Sequence, residues 1–179
     1  HYRYVDAFMD FVKIHPFNAS CDTLKAIAKD NDLNIDLGED HQGWLDLLFS
    51  HLVEPNLGKA LPTLIYDYPV ATAALAKTVT DKDGNRVARR FELYINGLEI
   101  ANAYDELADG QALRLRFNED NVARKKRGLP VVPIDENLLA ACDALPACSG
   151  IALGIDRLLM IKTNKTHIRD VIAFPTPHA

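Results

Sequence analysis

Apolar residues recur at every third or fourth position through residues 1–53, the spacing that collects them on one side of a helix. Pro16 ends the first such segment and Ser20 is placed to cap the second. Trp44 falls within the apolar stripe of the third, so we interpret it as a core residue. Residues 1–58 are predicted to be a helical insertion without chemistry of its own, with short helices over 4–13, 22–30 and 42–53.

Strands and helices alternate from residue 59 onward. Runs rich in β-branched and aromatic residues predict strands, and three- or four-residue apolar spacing predicts helices. The predicted order is a strand over 62–69, a hairpin centred on residues 96–97, helices over 109–126 and 136–143, a strand over 148–154 that bends into a helix near Asp156, and a short helix and strand over 168–174.

Asn96-Gly97 lies between two strand-forming runs and is a strong signal for a two-residue type I′ turn. Counting outward from that turn, the predicted pairs are Ile95 with Leu98, Tyr94 with Glu99, Leu93 with Ile100, and Glu92 with Ala101. Because side chains alternate along a strand, one face is predicted to be apolar and the other to carry Glu92, Tyr94 and Glu99.

Glu92 and Glu99 are diagonal neighbours in this hairpin, with β-carbons about 7 Å apart. Two carboxylates at that separation can reach one divalent ion, or a polyphosphate through its metals. The alternative is a solvated sheet face, which is where most glutamates lie. The hairpin alone leaves both interpretations open.

Small residues at positions 150, 152 and 154 would let a flat ligand lie against the backbone. Arg157 follows in the first turn of the predicted helix, where a guanidinium is placed to fork onto phosphate oxygens. A buried strand–helix corner with Asp156 and Arg157 as a surface pair would explain the same residues.

The composition limits the size of the core, the kinds of partner and the cellular compartment that can be expected. With 48% hydrophobic residues among 179, the chain can fill one ordinary core. A net charge of −5 argues against a broad nucleic-acid surface, which needs excess Lys and Arg. Three cysteines without a C-x-x-C pair predict neither a disulfide framework nor a zinc site and favour a reducing cytoplasm. The sequence has no apolar run of membrane-spanning length, so no membrane partner is expected.

Three segments together resemble class II aminoacyl-tRNA synthetases, and the nearest subgroup is the lysyl one. They are Phe91-Glu92-Leu93-Tyr94, Gly97–Asn102 with Glu106-Leu107, and Gly150–Arg157. More narrowly, the chain resembles the branch of that subgroup that attaches β-lysine to elongation factor P. Ala108 and Ala152 stand where the synthetases usually carry asparagine and glycine. The match spans about residues 62–175, including a similar tail over 168–175.

The resemblance implies an ATP site with Mg²⁺ as cofactor. Glu92 and Glu99 would hold the Mg²⁺ ions that bridge the ATP phosphates. Arg157 would bind the phosphates, and Gly154 would line the floor beneath adenosine. Glu99 and Arg157 would be the catalytic residues.

The resemblance also implies a site for a lysine-like substrate. Asn102 and Glu106 would bind it, with Glu106 taking an ammonium group, and the methyl group of Ala152 would reshape the pocket. Strict alternation places Asn102 on the face opposite Glu99, so the strand is expected to twist, bulge or end by Ala101.

The family's first and second motifs, which build the dimer interface and clamp the α-phosphate, do not occur in this sequence. We therefore expect the chain to be the C-terminal part of a catalytic domain, inactive alone, from a parent that forms a homodimer. The expected fold class is α+β, a mostly antiparallel sheet flanked by helices, with residues 1–58 as the helical insertion and 59–179 as the core part.

The implied function is an ATP-dependent, AMP-forming ligase that adenylates lysine or β-lysine and transfers it to elongation factor P in the cytoplasm. One alternative is a true lysyl-tRNA synthetase acting on tRNA-Lys. The other is a non-catalytic module that kept the fold and lost the chemistry.

Overall fold

The computed structural model describes residues 1–175, which form a six-stranded sheet with helices packed beside it. The strands are β1 (Tyr2–Arg3), β2 (Thr63–Pro69), β3 (Thr78–Thr80), β4 (Arg86–Ile95), β5 (Leu98–Asp105) and β6 (Ser149–Leu153). The helices are α1 (Tyr4–Phe11), α2 (Cys21–Asp30), α3 (His41–Leu48), α4 (Gly110–Lys126), α5 (Glu136–Asp143) and α6 (Ile155–Lys162).

The sheet follows the order β1-β2-β4-β5-β6, with β3 also pairing with β4. Among the strand pairs within residues 1–175, only β1–β2 is parallel, so the predicted α+β class with a mostly antiparallel sheet is confirmed. In the described part of the chain, no helix is long and apolar enough to cross a membrane.

The predicted helices are confirmed, and the cap predicted at Ser20 is present. Ser20 accepts a hydrogen bond from the backbone of the first turn of α2, and Asp109 and Asp135 do the same for α4 and α5. The third predicted helix continues beyond α3 as one π-helical turn, Phe49–Val53. The strand predicted near the end of the chain is wrong: after a 3₁₀ turn at Ile168–Asp170, residues 171–174 form turns and bends. A short apolar run does not by itself distinguish these structures.

The core lies between the N-terminal helices and one face of the sheet. Trp44 is fully buried there, as predicted, and its indole N–H donates to Gly38 O at 2.9 Å. Tyr4 stacks on Phe49 with ring centroids 5.1 Å apart. The sheet face that packs on these helices carries Tyr94, which is 1% exposed.

This packing corrects the assignment of the hairpin faces. The face carrying Glu92 and Tyr94 is the one covered by the helices, whereas Phe91, Leu93 and Ile95 on the predicted apolar face are only half-buried. Alternation fixes which residues share a face, but it does not fix which face receives the helices.

The hairpin turn itself is confirmed. Asn96 and Gly97 have φ angles of 54° and 76°, and a type I′ turn needs positive φ at both positions. The pairs Ile95–Leu98 and Tyr94–Glu99 are present as predicted.

Beyond those two pairs the register shifts by one residue. Leu93 pairs with Ala101 and Glu92 pairs with Asn102, so the predicted pairs Leu93–Ile100 and Glu92–Ala101 are wrong. A β-bulge leaves Ile100 as the extra residue of β5, in keeping with the expectation that the strand bulges by Ala101. Because of the bulge, Asn102 joins Glu92, Tyr94 and Glu99 on one face.

Candidate active site

Two rows of side chains cross the sheet on the face that carries Glu92, Glu99 and, because of the bulge, Asn102. In the first row Glu92 on β4 is paired with Asn102 on β5, which is paired with Ala152 on β6. In the second row the corresponding residues are Arg90, Tyr104 and Gly150. Directly paired residues on adjacent strands point to the same side, so polar groups of three strands converge here.

A cavity of about 320 Å³ opens beside the first row, within the size range of small-molecule sites. Strand β5, strand β6 and the beginning of α6 supply its walls. The structure thus brings together five of the predicted site residues around one cavity: Glu99, Asn102, Ala152, Gly154 and Arg157.

Glu99 and Arg157 form the charged pair of this cavity. One Nη of Arg157 donates to the backbone carbonyl of Glu99 at 2.8 Å and lies 3.2 Å from its Oε2. Gly154 is the N-cap residue of α6 and donates its N–H to Ile100 O at 2.8 Å, which joins the start of the helix to β5 just after Glu99. Both charged side chains are partly exposed, 35% for Glu99 and 43% for Arg157, so a ligand can reach them.

Glu92 occupies a different environment. It is 6% exposed, and its two oxygens accept hydrogen bonds from four donors: the phenols of Tyr68 and Tyr94 on Oε2, both at 2.5 Å, and Arg90 and Asn102 (3.4 Å) on Oε1. A buried carboxylate needs such partners because an unpaired charge is costly to bury. The solvated sheet face therefore does not describe Glu92.

The two phenols are held in the form that donates. Burial raises the pKa of Tyr68 far above its ordinary value, and the nearby Tyr94 and Glu92 add to the effect. Burial, and then the charge of Glu92, likewise raises the pKa of Tyr94. Both hydroxyls therefore keep their protons at neutral pH and stabilise the Glu92 carboxylate.

Glu106 follows β5 and lies beside Gly150. A Cβ built on Gly150 would overlap Oε1 of Glu106, so the absence of a side chain at position 150 makes room for this carboxylate. The backbone N–H of Glu106 donates to Cys148 O at 3.1 Å, which fixes it against β6.

Not every predicted residue lines the same cavity. Glu92 lies in a neighbouring cavity of about 240 Å³, together with Arg90 and Glu54 from the connector before β2. Glu106 lies beyond the end of β5, and its side chain reaches Gly150 of the second row. Glu92 and Glu99 share a face as predicted, but each is engaged by its own arginine.

The sequence reasoning missed three residues that contact this group: Tyr68, Arg90 and Glu54. Arg90 could have been found by extending the two-residue alternation upstream of Glu92. Tyr68 and Glu54 reach Glu92 and Tyr94 only through the pairing of β2 with β4 and the packing of the helical segment, which no local pattern reveals.

Glu54 yields a pH-dependent prediction. Partial burial raises the pKa of its carboxyl, and the charges of Glu92 and Glu99 add to that effect, although the Tyr94 hydroxyl, 3.0 Å from Oε1, opposes it. A carboxyl whose folded pKa is raised penalises the folded state once it ionises. We expect Glu54→Gln to raise the free energy of unfolding at pH 7 by less than about 1 kcal/mol, since solvent screens a half-buried group.

The pH dependence separates this cause from a packing effect. Below about pH 4 the carboxyl is protonated in both states and the gain should vanish; it should appear as the pH rises through the raised folded pKa. Urea unfolding from pH 3.5 to 8 measures it, with the exposed Glu119→Gln as control. A gain that is the same at every pH would contradict the electrostatic explanation.

The mostly antiparallel sheet flanked by helices is consistent with a class II synthetase-like domain. Residues 45–178 match the family model of class II tRNA synthetases (D, K and N), and the chain belongs to this family. The resemblance expected from the three segments is thereby confirmed.

Within the family the chain is similar to proteins named elongation factor P–(R)-β-lysine ligase. It is 46% identical to that of Klebsiella pneumoniae over 179 residues, covering 98% of this chain and 54% of the relative. For Yersinia pestis the values are 46% over 175 residues, 96% and 53%, and for Proteus mirabilis 45% over 179 residues, 98% and 54%. The chain spans about half the length of the curated relatives it matches.

Proposed function

We propose that this chain is the C-terminal part of an ATP-dependent, AMP-forming ligase that adenylates lysine or β-lysine and transfers it to elongation factor P. The observation that carries the proposal is the convergence of Glu99, Asn102, Ala152 and Arg157 on one cavity. The names of the relatives support the choice of substrate and acceptor. Below, the protein of the relatives' length that contains this chain is called the full-length ligase.

The residues present fit Mg²⁺-bound ATP as cofactor. Among residues 1–175 no three His, Cys, Asp or Glu side chains are close enough to hold a metal by themselves. Mg²⁺ in nucleotide sites usually takes one or two carboxylates and completes its shell with phosphate oxygens and water. Glu99, with Oε2 next to Arg157, and Glu92 on the same face would supply those carboxylates.

The charge arrangement suits adenylation. A carboxylate oxygen of the amino acid attacks the α-phosphorus, the bond to the bridging oxygen breaks, and pyrophosphate leaves. Two anions must approach each other, so neutralised phosphate charge and in-line positioning lower the barrier. Arg157 would hold the phosphates, Gly154 would leave room for the adenosine, and bound Mg²⁺ would supply further positive charge.

Residues from both rows would hold the amino acid. Asn102 would bind the lysine-like substrate, and the carboxylate of Glu106, held over Gly150, would take one of its ammonium groups. The methyl group of Ala152 lies in the floor beside Asn102 and would favour a substrate whose amine is displaced, such as β-lysine.

Three features of the full-length ligase belong to the same proposal. We propose that residues 1–58 are a helical insertion and 59–179 the C-terminal part of its catalytic core. It would form a homodimer and act in the cytoplasm, where elongation factor P is used.

A true lysyl-tRNA synthetase is the second candidate, because the matching family model includes the lysine enzymes that act on tRNA. In that case the adenylate would be the same and the acceptor would be tRNA-Lys.

ATP–pyrophosphate exchange by the full-length ligase tests the activation step. We expect exchange that depends on lysine or β-lysine, and labelling of elongation factor P rather than tRNA-Lys when both are offered. Glu99→Gln should raise the Mg²⁺ concentration needed for half-maximal exchange about tenfold, since it removes a charged ligand but keeps the shape.

The controls separate the alternatives. The exposed Glu119→Gln should leave the Mg²⁺ requirement unchanged, and this 179-residue chain alone should show no exchange. Labelled tRNA would favour the second candidate. Absence of any amino-acid-dependent exchange by the full-length ligase would refute the proposed function.

A further inference from the structure

Arg90, which the sequence did not single out, connects two of the predicted site residues, Glu92 and Asn102. Its guanidinium donates to Glu92 Oε1, to Asn102 Oδ1 at 3.2 Å and to the backbone carbonyl of Thr72 at 2.9 Å. A guanidinium can reach these three acceptors at once because its N–H groups form a rigid planar fork. The single ammonium group of a lysine cannot reproduce that arrangement.

Two aromatic rings hold the guanidinium in place. Its central carbon lies 4.8 Å from the ring centroid of Tyr68 and 5.9 Å from that of Tyr104. The Arg90 side chain is only 16% exposed, so these cation–π contacts are largely shielded from water. Arg90 is thus held by two aromatic rings and three hydrogen bonds.

Arg90 determines which way the Asn102 amide faces. A guanidinium only donates, so the oxygen of the amide must face it and the amide nitrogen must face away. The nitrogen donates one hydrogen to Glu92 Oε1 at 3.4 Å and has a second to offer to a ligand in the 320 Å³ cavity, which Asn102 lines. Without Arg90, the orientation of the amide would depend on that long contact with Glu92.

Arg90 also balances the charge of Glu92. The carboxylate is almost fully buried, and the two tyrosine hydroxyls that it accepts from are neutral. The guanidinium is the cation in direct contact with it. A buried carboxylate that loses its cation is strongly disfavoured and moves, takes up a proton or destabilises the fold.

We propose that Arg90 is a positioning residue of the ligase site, which fixes the Glu92 carboxylate and the Asn102 amide in the orientations that the nucleotide and the amino acid need. Arg90 itself lines the neighbouring cavity together with Glu92, not the 320 Å³ cavity, and acts through these two side chains. The proposal rests on the proposed function for its kinetic consequences, but the Arg90 contacts can be tested without it.

Arg89 provides a matched control. It precedes Arg90 on β4 and points to the opposite face; its side chain is 50% exposed and lies 3.6 Å from Asp67. Replacing it changes the net charge of the strand by the same amount, without touching Glu92 or Asn102.

The kinetic test compares Arg90→Lys, Arg90→Met and Arg89→Met in the full-length ligase. Arg90→Lys keeps a cation beside Glu92 but cannot also span to Asn102, so we expect the amino-acid KM to rise about tenfold with a nearly unchanged Mg²⁺ requirement. Arg90→Met should raise both by about tenfold or more. Arg89→Met should change neither by more than about twofold.

If Arg90 only stabilised the fold, Arg90→Lys would not raise the amino-acid KM while leaving the Mg²⁺ requirement nearly unchanged. The positioning role would be overturned if Arg90→Lys and Arg90→Met left both parameters within twofold of Arg89→Met, or if Arg90→Lys changed kcat alone. Should Arg90→Met fail to fold, Arg90→Lys still decides the question.

A second experiment uses the 179-residue chain and needs no ligase activity. Arg90→Met should lower the urea midpoint, and the same substitution in a Glu92→Gln background should lower it by less than half as much, because no buried charge is then left unpaired. Equal shifts in both backgrounds would overturn the Arg90–Glu92 coupling. Coupling without amino-acid-dependent exchange would refute the proposed function and leave the Arg90 contacts standing.

Discussion

Gly150→Ala is expected to reduce the activity of the full-length ligase at least 100-fold while leaving the fold intact. A Cβ at position 150 would overlap Oε1 of Glu106, which must then move. The clashing atom is the end of a flexible side chain, so the fold can adapt at little cost. A catalytic or binding group displaced by about 1 Å can lose two orders of magnitude in rate, because its geometry is what accelerates the reaction.

Comparison with Glu106→Gln shows whether Gly150→Ala loses activity because it displaces Glu106. If it does, Gly150→Ala, Glu106→Gln and the double variant should have similar kcat/KM values for ATP–pyrophosphate exchange, since one interaction can be lost only once. Thermal unfolding of the 179-residue chain should change little. Full exchange activity in Gly150→Ala, or losses that multiply in the double variant, would contradict the assigned role of Glu106.

The type I′ turn is the element that sequence predicts best. Asn96-Gly97 encodes positive φ angles locally, and the two pairs next to the turn follow directly from it. The bulge at Ile100 is not encoded in that way. The need for it could be recognised only because Asn102 had to share a face with Glu99, and its position follows from how β5 fits between β4 and β6.

The environment of Glu92 was the least accessible to sequence reasoning. Four side chains hold its carboxylate, and one of them, Tyr68, lies 24 positions away on β2. Residue types and spacing placed Glu92 on the correct face but could not indicate that the face is covered. A glutamate expected to be open to metal is therefore found inside a hydrogen-bonded cluster.

The two glutamates consequently have unequal tasks. Glu99 is partly exposed and shares a cavity with Arg157, so it can meet a ligand with little rearrangement. Glu92 has donors on both oxygens and must exchange one of them to bind a cation. The Asn102 contact, at 3.4 Å, is the longest of its hydrogen bonds and the least costly to give up.

The hairpin also depends on a contact at its turn with Leu57 and Gly58, which belong to the connector before β2. Asn96 N–H donates to Gly58 O at 2.9 Å, and Gly97 N–H donates to Leu57 O at 2.7 Å. Gly58 has a φ of 68°, and a Cβ there would lie 2.5 Å from the backbone oxygen of Tyr94. Backbone atoms in a paired strand cannot move aside as a side chain can.

Gly58→Ala is therefore expected to lower the free energy of unfolding by about 3 kcal/mol or more. The positive φ contributes about 1–2 kcal/mol for a residue with a Cβ, and the backbone overlap contributes a further 1–3 kcal/mol, about the cost of overpacking. Urea unfolding of the 179-residue chain measures the loss as a lower midpoint at unchanged slope.

Gly84→Ala separates the two contributions. Gly84 has a φ of 86°, and a Cβ there would meet nothing within 4 Å, so this variant carries the conformational cost alone, about 1 kcal/mol. Equal losses in the two variants would show that the connector can move away from Tyr94 and would contradict the rigid contact. A larger loss in Gly58→Ala would establish that the connector and the strand bearing Glu92 form one packed unit, because the overlap could then be relieved only by displacing β4.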